Sequence, residues 1–130
     1  MIYCQSLNMD LVSIETQEEN KFLYQKMNEY FGNGNEYWFW TSGVKVQNRW
    51  VWMAKGRPIN YYNWYAKQPD NWGNKENRIQ VIYHGGIGFV WNDRNEDHGR
   101  LHALCEAEIV KAVAEIVGAA CNVTDSFPRL

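Results

Sequence analysis

The sequence predicts an α+β fold, with a capped helix early and an antiparallel, loop-rich β region after it. Three observations carry that prediction. Apolar residues recur at helical spacing through residues 17–31. From Glu36 onward the period shortens, and the runs become rich in Val, Ile, Trp and Tyr. Those runs are separated by short turns rather than by further helices.

At 130 residues the chain is of single-domain length, and a hydrophobic content of 45% supports a packed core. A net charge of −2 gives no argument for nucleic acid or an anionic membrane. No apolar run approaches the ~18–20 residues of a membrane span. Met1-Ile2-Tyr3-Cys4 shows no basic segment followed by an apolar one, so a signal peptide is not expected within this chain.

The elements follow in order. Residues 3–7 read as the end of a helix. Leu11-Val12-Ser13-Ile14 reads as a buried strand or extended linker. Thr16-Gln17-Glu18-Glu19 matches a capping box, in which hydroxyl and carboxylate satisfy free amides at a helix start. Phe22, Leu23, Met27 and Tyr30 then repeat at helical spacing, and Gly32-Asn33-Gly34 stops the helix. Residues 37–41 and 49–53 read as strands joined by a polar turn over residues 43–48, with a second turn at 54–58. Residues 61–64 form an aromatic patch before a long polar loop, 66–77. Strands are expected at 78–83 and 88–92, joined by a hairpin turn at His84-Gly85-Gly86-Ile87, with a last strand at 101–107. In the tail, Ile109, Val110, Val113, Ile116 and Val117 share one helical stripe, so a helix is expected at 108–118.

The chemistry concentrates in Gln68-Pro69-Asp70-Asn71-Trp72-Gly73-Asn74-Lys75-Glu76 together with Trp91-Asn92-Asp93. Gln68, Asp70, Glu76, Asn92 and Asp93 offer amide and carboxylate oxygens, with no thiol or imidazole among them. Such a set suits a hard cation such as calcium, which takes about 6–8 oxygens. Catalytic patterns are missing. His98 and His102 stand four apart without a third soft ligand nearby, and solvated histidines explain them better. No Gly-x-Ser-x-Gly elbow or phosphate loop occurs, so the chain is not read as an enzyme. Cys4, Cys105 and Cys121 include no Cys-x-x-Cys pair, which excludes a zinc ribbon. One long-range disulfide with a leftover thiol, and three reduced cysteines, both remain open on spacing alone.

The ordered series is specific. Cys4 is followed by Leu-Val-Ser-Ile and the capped helix. Then come Tyr37-Trp38-Phe39-Trp40-Thr41-Ser42-Gly43, Trp50-Val51-Trp52, Gly56-Arg57-Pro58-Ile59 and Asn63-Trp64. Last come Gln68-Pro69-Asp70, Glu76, Trp91-Asn92-Asp93 and Cys105-Glu106. This series resembles a C-type lectin domain over residues 4–106, and its Phe-Trp-Thr-Ser-Gly and Gly-Arg-Pro-Ile segments resemble the secreted insect members.

The resemblance implies a C-type lectin-like domain over residues 1–107 and a tail over 108–130. It implies one Ca²⁺ held by Gln68, Asp70, Glu76, Asn92 and Asp93, with a cis bond before Pro69. Sugar hydroxyls would contact Gln68, Asp70, Glu76 and Asn92, and Trp72 would pack on the apolar face of the hexose. The Gln-Pro-Asp order is similar to that of galactose-type lectins. The implied function is calcium-dependent, galactose-type carbohydrate binding by a secreted, extracellular lectin in innate immune or cell-surface glycan recognition. The alternative is a calcium-independent module that binds protein through the same loops.

The resemblance also implies a Cys4–Cys105 disulfide, worth roughly 4–5 kcal/mol in the chain-entropy model and typical of oxidising compartments. Cys121 is then odd, which points to an interchain bond and a homo- or heterodimer. Asn122-Val123-Thr124 would be a glycosylation sequon in a secreted chain.

The sequence departs from the family in four places. The inner disulfide is absent, with Arg78 and Glu96 at its two half-positions, and an ion pair between them is expected. The family's strand before the Cys4 helix is missing, so an incomplete N-terminus and an open edge on strand 101–107 are expected. A second calcium site would want acids in the 43–48 loop and at Asn71 and Asn77, which are amides. The glycine-rich insertion of galactose binders after the tryptophan is also missing, which weakens selectivity over mannose.

Overall fold

The structure is a computed structural model that describes residues 2–32, 36–97 and 101–107. The tail helix expected at 108–118, together with Cys121 and the sequon, lies outside the described residues, as does His98.

A short helix α1, Ile2–Ser6, is followed by strand β1, Asp10–Leu11, and by helix α2, Gln17–Phe31. Thr16 caps α2: its Oγ1 accepts the Glu19 amide at 3.1 Å. The Glu19 carboxylate reaches one residue further back than a standard box and accepts the Glu15 amide at 3.0 Å. At the other end Gly32 takes φ +69°, and its N–H donates to the Asn28 carbonyl at 3.0 Å.

The strands are β2, Glu36–Val46; β3, Arg49–Trp52; β4, Arg57–Pro58; β5, Arg78–His84; β6, Gly88–Arg94; β7, His102–Ala103; and β8, Cys105–Glu106. The main sheet runs β4-β3-β2-β5-β6, with antiparallel neighbours and β7 added parallel to β2. The α+β class and the antiparallel layout are those the sequence predicts.

Three elements correct the sequence reading. Arg57–Pro58, expected within the turn at 54–58, forms β4 and pairs with β3. The turn expected over residues 43–48 is only Gln47-Asn48, both at positive φ (49° and 63°), while residues 43–46 continue β2 and pair with β3. Val44 and Val46 flank Lys45 in strand alternation, and a Gln-Asn turn lacks the glycine that would have marked it. The strand expected over 101–107 is split. His102–Ala103 joins the main sheet, whereas Cys105–Glu106 pairs antiparallel with β1, at Leu11↔Cys105 and Asp10↔Glu106. Leu104, 5% exposed, turns into the core between them, and its carbonyl accepts the Val12 amide at 2.8 Å. Among the described residues, the partner of β8 is therefore β1, which follows α1.

The Cys4–Cys105 disulfide fastens α1 to β8. Between Trp40 and Val44 the β2–β5 register shifts. Thr41 Oγ1 staples the irregularity, donating to the Ile79 carbonyl at 2.8 Å and accepting the Gly43 amide at 3.0 Å. A Cβ on Gly43 would sit 2.7 Å from the Ile79 side chain, so glycine is required by space there.

The core lies between α2 and one face of the sheet. Leu23 and Met27 meet Phe39, Trp52, Val81 and Trp91. Strand alternation sends Ile79, Val81 and Tyr83 inward on β5 and Phe89 and Trp91 inward on β6, and Asp93 follows on that same face. Trp91 is the hub. Its ring centroid lies 5.5–6.2 Å from those of Trp52, Tyr61, Tyr62 and Trp64. Its indole N–H donates to Asn20 Oδ1 at 3.0 Å, and Asn20 Nδ2 donates to the Phe89 carbonyl. Helix, sheet and the end of β6 are thus locked together, which fixes Asn92 and Asp93 as a platform for the long loop.

Candidate functional site

The loop over residues 66–77 is shaped by unusual backbone. Lys67, Asn71, Gly73 and Asn74 all take positive φ, and a single 3-10 turn spans Trp72–Asn74. The Gln68–Pro69 bond is cis. Asn and Gly tolerate the left-handed region that this path requires. The Asn71 side chain adds a brace, its Oδ1 accepting the Glu76 amide at 3.2 Å. Asn77 serves the frame as well, its carbonyl accepting the Lys45 amide at 2.8 Å. The Asn71 side chain, at one of the two positions where a second ion would need an acid, therefore has a structural bond.

Asp93 anchors this loop to the sheet. Its Oδ1 accepts the Asp70 amide at 3.1 Å and its Oδ2 the Asn71 amide at 2.7 Å, and the side chain is fully buried. Glu76, 7% exposed, holds the other side, with Oε2 accepting the Trp72 amide at 3.0 Å. Carboxylate oxygens of Asp70, Glu76 and Asp93 come within 4.8 Å of one another.

That proximity sets the electrostatics. Burial pushes the Glu76 carboxyl above its ordinary value, its hydrogen bond with Asp70 and the negative fields of Asp93 and Asp70 push the same way, and the Trp72 amide offsets part of this. Three carboxylates so close favour either a shared proton or a cation between them.

Gln68, Asp70, Trp72, Glu76 and Asn92 line one open cavity of about 270 Å³, while Asp93 lies beneath it. Gln68 Oε1 is buried and accepts no hydrogen bond. An orphaned amide oxygen beside three clustered carboxylates is a donor set that fits a hard cation. Trp72 is 69% exposed at the rim, and the Lys75 ammonium lies 5.8 Å from its ring centroid.

Sequence reasoning missed Lys75 and Arg94, which also line the cavity. Each directly adjoins a residue read as a ligand, and their charge opposite to the carboxylates was the available signal. Away from the cavity, Arg78 Nη2 and Nε both reach Glu96 Oε2, at 2.8 and 3.1 Å, forming the expected ion pair. His102 sits in a strand with its ring 5.9 Å from that of Phe39 and is not part of the carboxylate cluster.

The family model described as "Lectin C-type domain" matches residues 1–107. Perlucin of Haliotis laevigata is 31% identical over 106 residues, covering 82% of this chain and 66% of that protein. This chain thus spans slightly less than two thirds of perlucin's length. Among solved structures, the carbohydrate-recognition domain of the mouse scavenger receptor C-type lectin is similar at TM-score 0.60 and 28% identity, over 75% of this chain and 71% of that one. The cow CD23 carbohydrate-recognition domain, solved in the presence of a GlcNAc2Man3 oligosaccharide, gives TM-score 0.60 and 28% identity, over 80% and 73% of the two chains.

Proposed function

This chain belongs to the C-type lectin domain family, and from that premise we propose that it binds carbohydrate through one calcium ion, with a galactose-type preference. The observation that carries the reading is the meeting of the Asp70, Glu76 and Asp93 carboxylates within 4.8 Å, beside the unpartnered Gln68 Oε1. Two of these carboxylates, Glu76 and Asp93, are buried, and like charges held so close are costly without a cation. Gln68, Asp70, Glu76, Asn92 and Asp93 would hold the ion. When bound, it supplies positions at which sugar hydroxyls replace water.

The chain's own residues do the rest. Asp93 and Asn71 set the loop path, so the oxygens of Gln68 and Asp70 keep their place without the sugar. Gln68, Asp70, Glu76 and Asn92 present the acceptors and amide donors that meet ring hydroxyls. Trp72 offers an exposed aromatic face at the rim, suited to the apolar face of a hexose. The Gln-Pro-Asp order supports galactose over mannose. The missing glycine-rich insertion after Trp72 is a reason to expect modest selectivity over mannose.

An extracellular, secreted setting is supported by the Cys4–Cys105 disulfide, since such bonds persist in oxidising compartments. Among the described residues no helix is long and apolar enough to cross a membrane. A role in innate immune or cell-surface glycan recognition, and a dimer linked through Cys121, belong to the same proposal.

The test is retention on immobilised galactose and mannose in calcium, followed by elution with a chelator. Retention on galactose that the chelator abolishes supports the reading. Failure to bind any glycan, with no rise in melting temperature on adding calcium, would leave the calcium-independent protein-binding module as the better account. Equal migration on reducing and non-reducing gels would remove the disulfide-linked dimer.

A further inference from the structure

We propose that the sugar taken by this site carries an anionic substituent, a sulfate or a carboxylate, held by Lys75 and Arg94. This deepens the calcium-lectin reading and rests on it. Lys75 comes from the loop and Arg94 from the end of β6, and both line the cavity that Gln68, Asp70, Glu76 and Asn92 line. The Arg94 guanidinium carbon lies 5.1 Å from the Trp38 ring centroid, which supports one face of its plane. Its Nε is buried and donates to nothing. Arg94 stands directly opposite Arg78 in the β5–β6 register, and Glu96 is committed to Arg78 through two hydrogen bonds.

Charge decides the class of ligand. Three carboxylates, one divalent ion and two side-chain cations leave the loaded site one unit positive. A neutral hexose leaves that charge uncompensated, whereas a sulfate or carboxylate neutralises it. The planar guanidinium fork suits either group, and the lysine adds a point charge from the Trp72 side. The competing account makes the two cations mere counter-charges for the carboxylates, and it predicts no advantage for an anionic sugar.

The experiment titrates the full chain, in calcium, with neutral, 6-O-sulfated and uronic forms of galactose and mannose. The anionic forms should bind about tenfold more tightly at low salt, and the advantage should shrink as salt rises. Comparing sulfate with carboxylate identifies which of the two is preferred. Lys75→Ala and Arg94→Gln should each cut the anionic-to-neutral ratio severalfold, while Lys26→Ala on α2, a control for net charge, should not. Should Arg94→Gln fail to fold, Lys75→Ala and the salt series still decide. A ratio near one, with neutral galactose still retained in calcium and released by chelator, would overturn this proposal and leave the lectin reading intact. A ratio untouched by both variants overturns it too. Binding of none of the six sugars overturns both readings.

Discussion

The Asp93 carboxylate accepts the Asn71 backbone amide at 2.7 Å, across 22 residues of chain. With the Asp70 amide at 3.1 Å, this bond makes Asp93 the point where the loop is pinned to the sheet. Asp70 is itself exposed, and its carboxylate lies within 4.8 Å of those of Glu76 and Asp93. The two aspartates should therefore separate in mutants. In chelator, Asp93→Ala should lose about 2–4 kcal/mol of unfolding free energy, because two buried amides lose a charged acceptor. Asp70→Ala should stay within about 0.5 kcal/mol yet abolish calcium-dependent stabilisation. Urea unfolding with and without calcium measures both, and equal losses in chelator would refute the division of roles.

Arg78 and Glu96 occupy the half-positions of a missing disulfide, and their side chains are 31% and 63% exposed. At that exposure a double-mutant cycle should return about 0–1 kcal/mol, falling with salt. Installing both cysteines, Arg78→Cys with Glu96→Cys, should raise stability by about 2–4 kcal/mol once oxidised. A coupling well above that range, unchanged by salt, would show that the pair is worth more than its exposure implies.

Calcium affinity should depend on pH through Glu76. Its carboxyl is raised by burial and by the neighbouring acids, so it takes a proton at a higher pH than an ordinary glutamate. Proton and ion compete for it, and affinity should begin to fall while the pH is still above the usual carboxylate range. Glu76→Gln should bind calcium more weakly and with a flatter profile. Trp72 fluorescence during calcium titration at a series of pH values reports this, and an affinity unchanged down to the usual carboxylate range would contradict it.

Glu106 controls a separate pH effect. It is 2% exposed, and burial pushes it up to about 7, although Lys55 Nζ lies 3.6 Å away and the Ser13 amide donates to Oε1 at 3.0 Å. Its Oε2 has no hydrogen-bond partner. A folded value above the unfolded one means that the neutral acid favours the fold. Its contribution is full below the ordinary 4.5 and is lost as pH rises through about 7. Stability in chelator should decline across that window, by up to about 3 kcal/mol from this group. Glu106→Gln should remove most of the decline, and an unaltered pH profile in that variant would count against it.

What the sequence discloses follows the range of the interactions. Helix α2 is legible because Thr16, the apolar spacing and Gly32 all act within one segment. The carboxylate cluster is legible because its members fall in one loop and one strand end, joined by one hairpin. The splitting of residues 101–107 is not, since it depends on β2 and β1 competing for the same short run from distant parts of the chain. Asn71 and Asp93 escaped as a pair for a similar reason. Asn71 reads as a lost acid until its side chain is seen holding Glu76. Lys75 and Arg94 are not singled out until the fold brings them to one cavity.

The Cys4–Cys105 bond joins positions 101 residues apart. The loop that carries Asp70 and Trp72 lies inside that span, as do the exposed lysines Lys67 and Lys75. A trypsin nick after either lysine leaves both fragments in one covalent molecule, heavier by a single water. Electrophoresis without reductant is blind to such damage, so a preparation can run as one clean band after the loop over residues 66–77 has been severed.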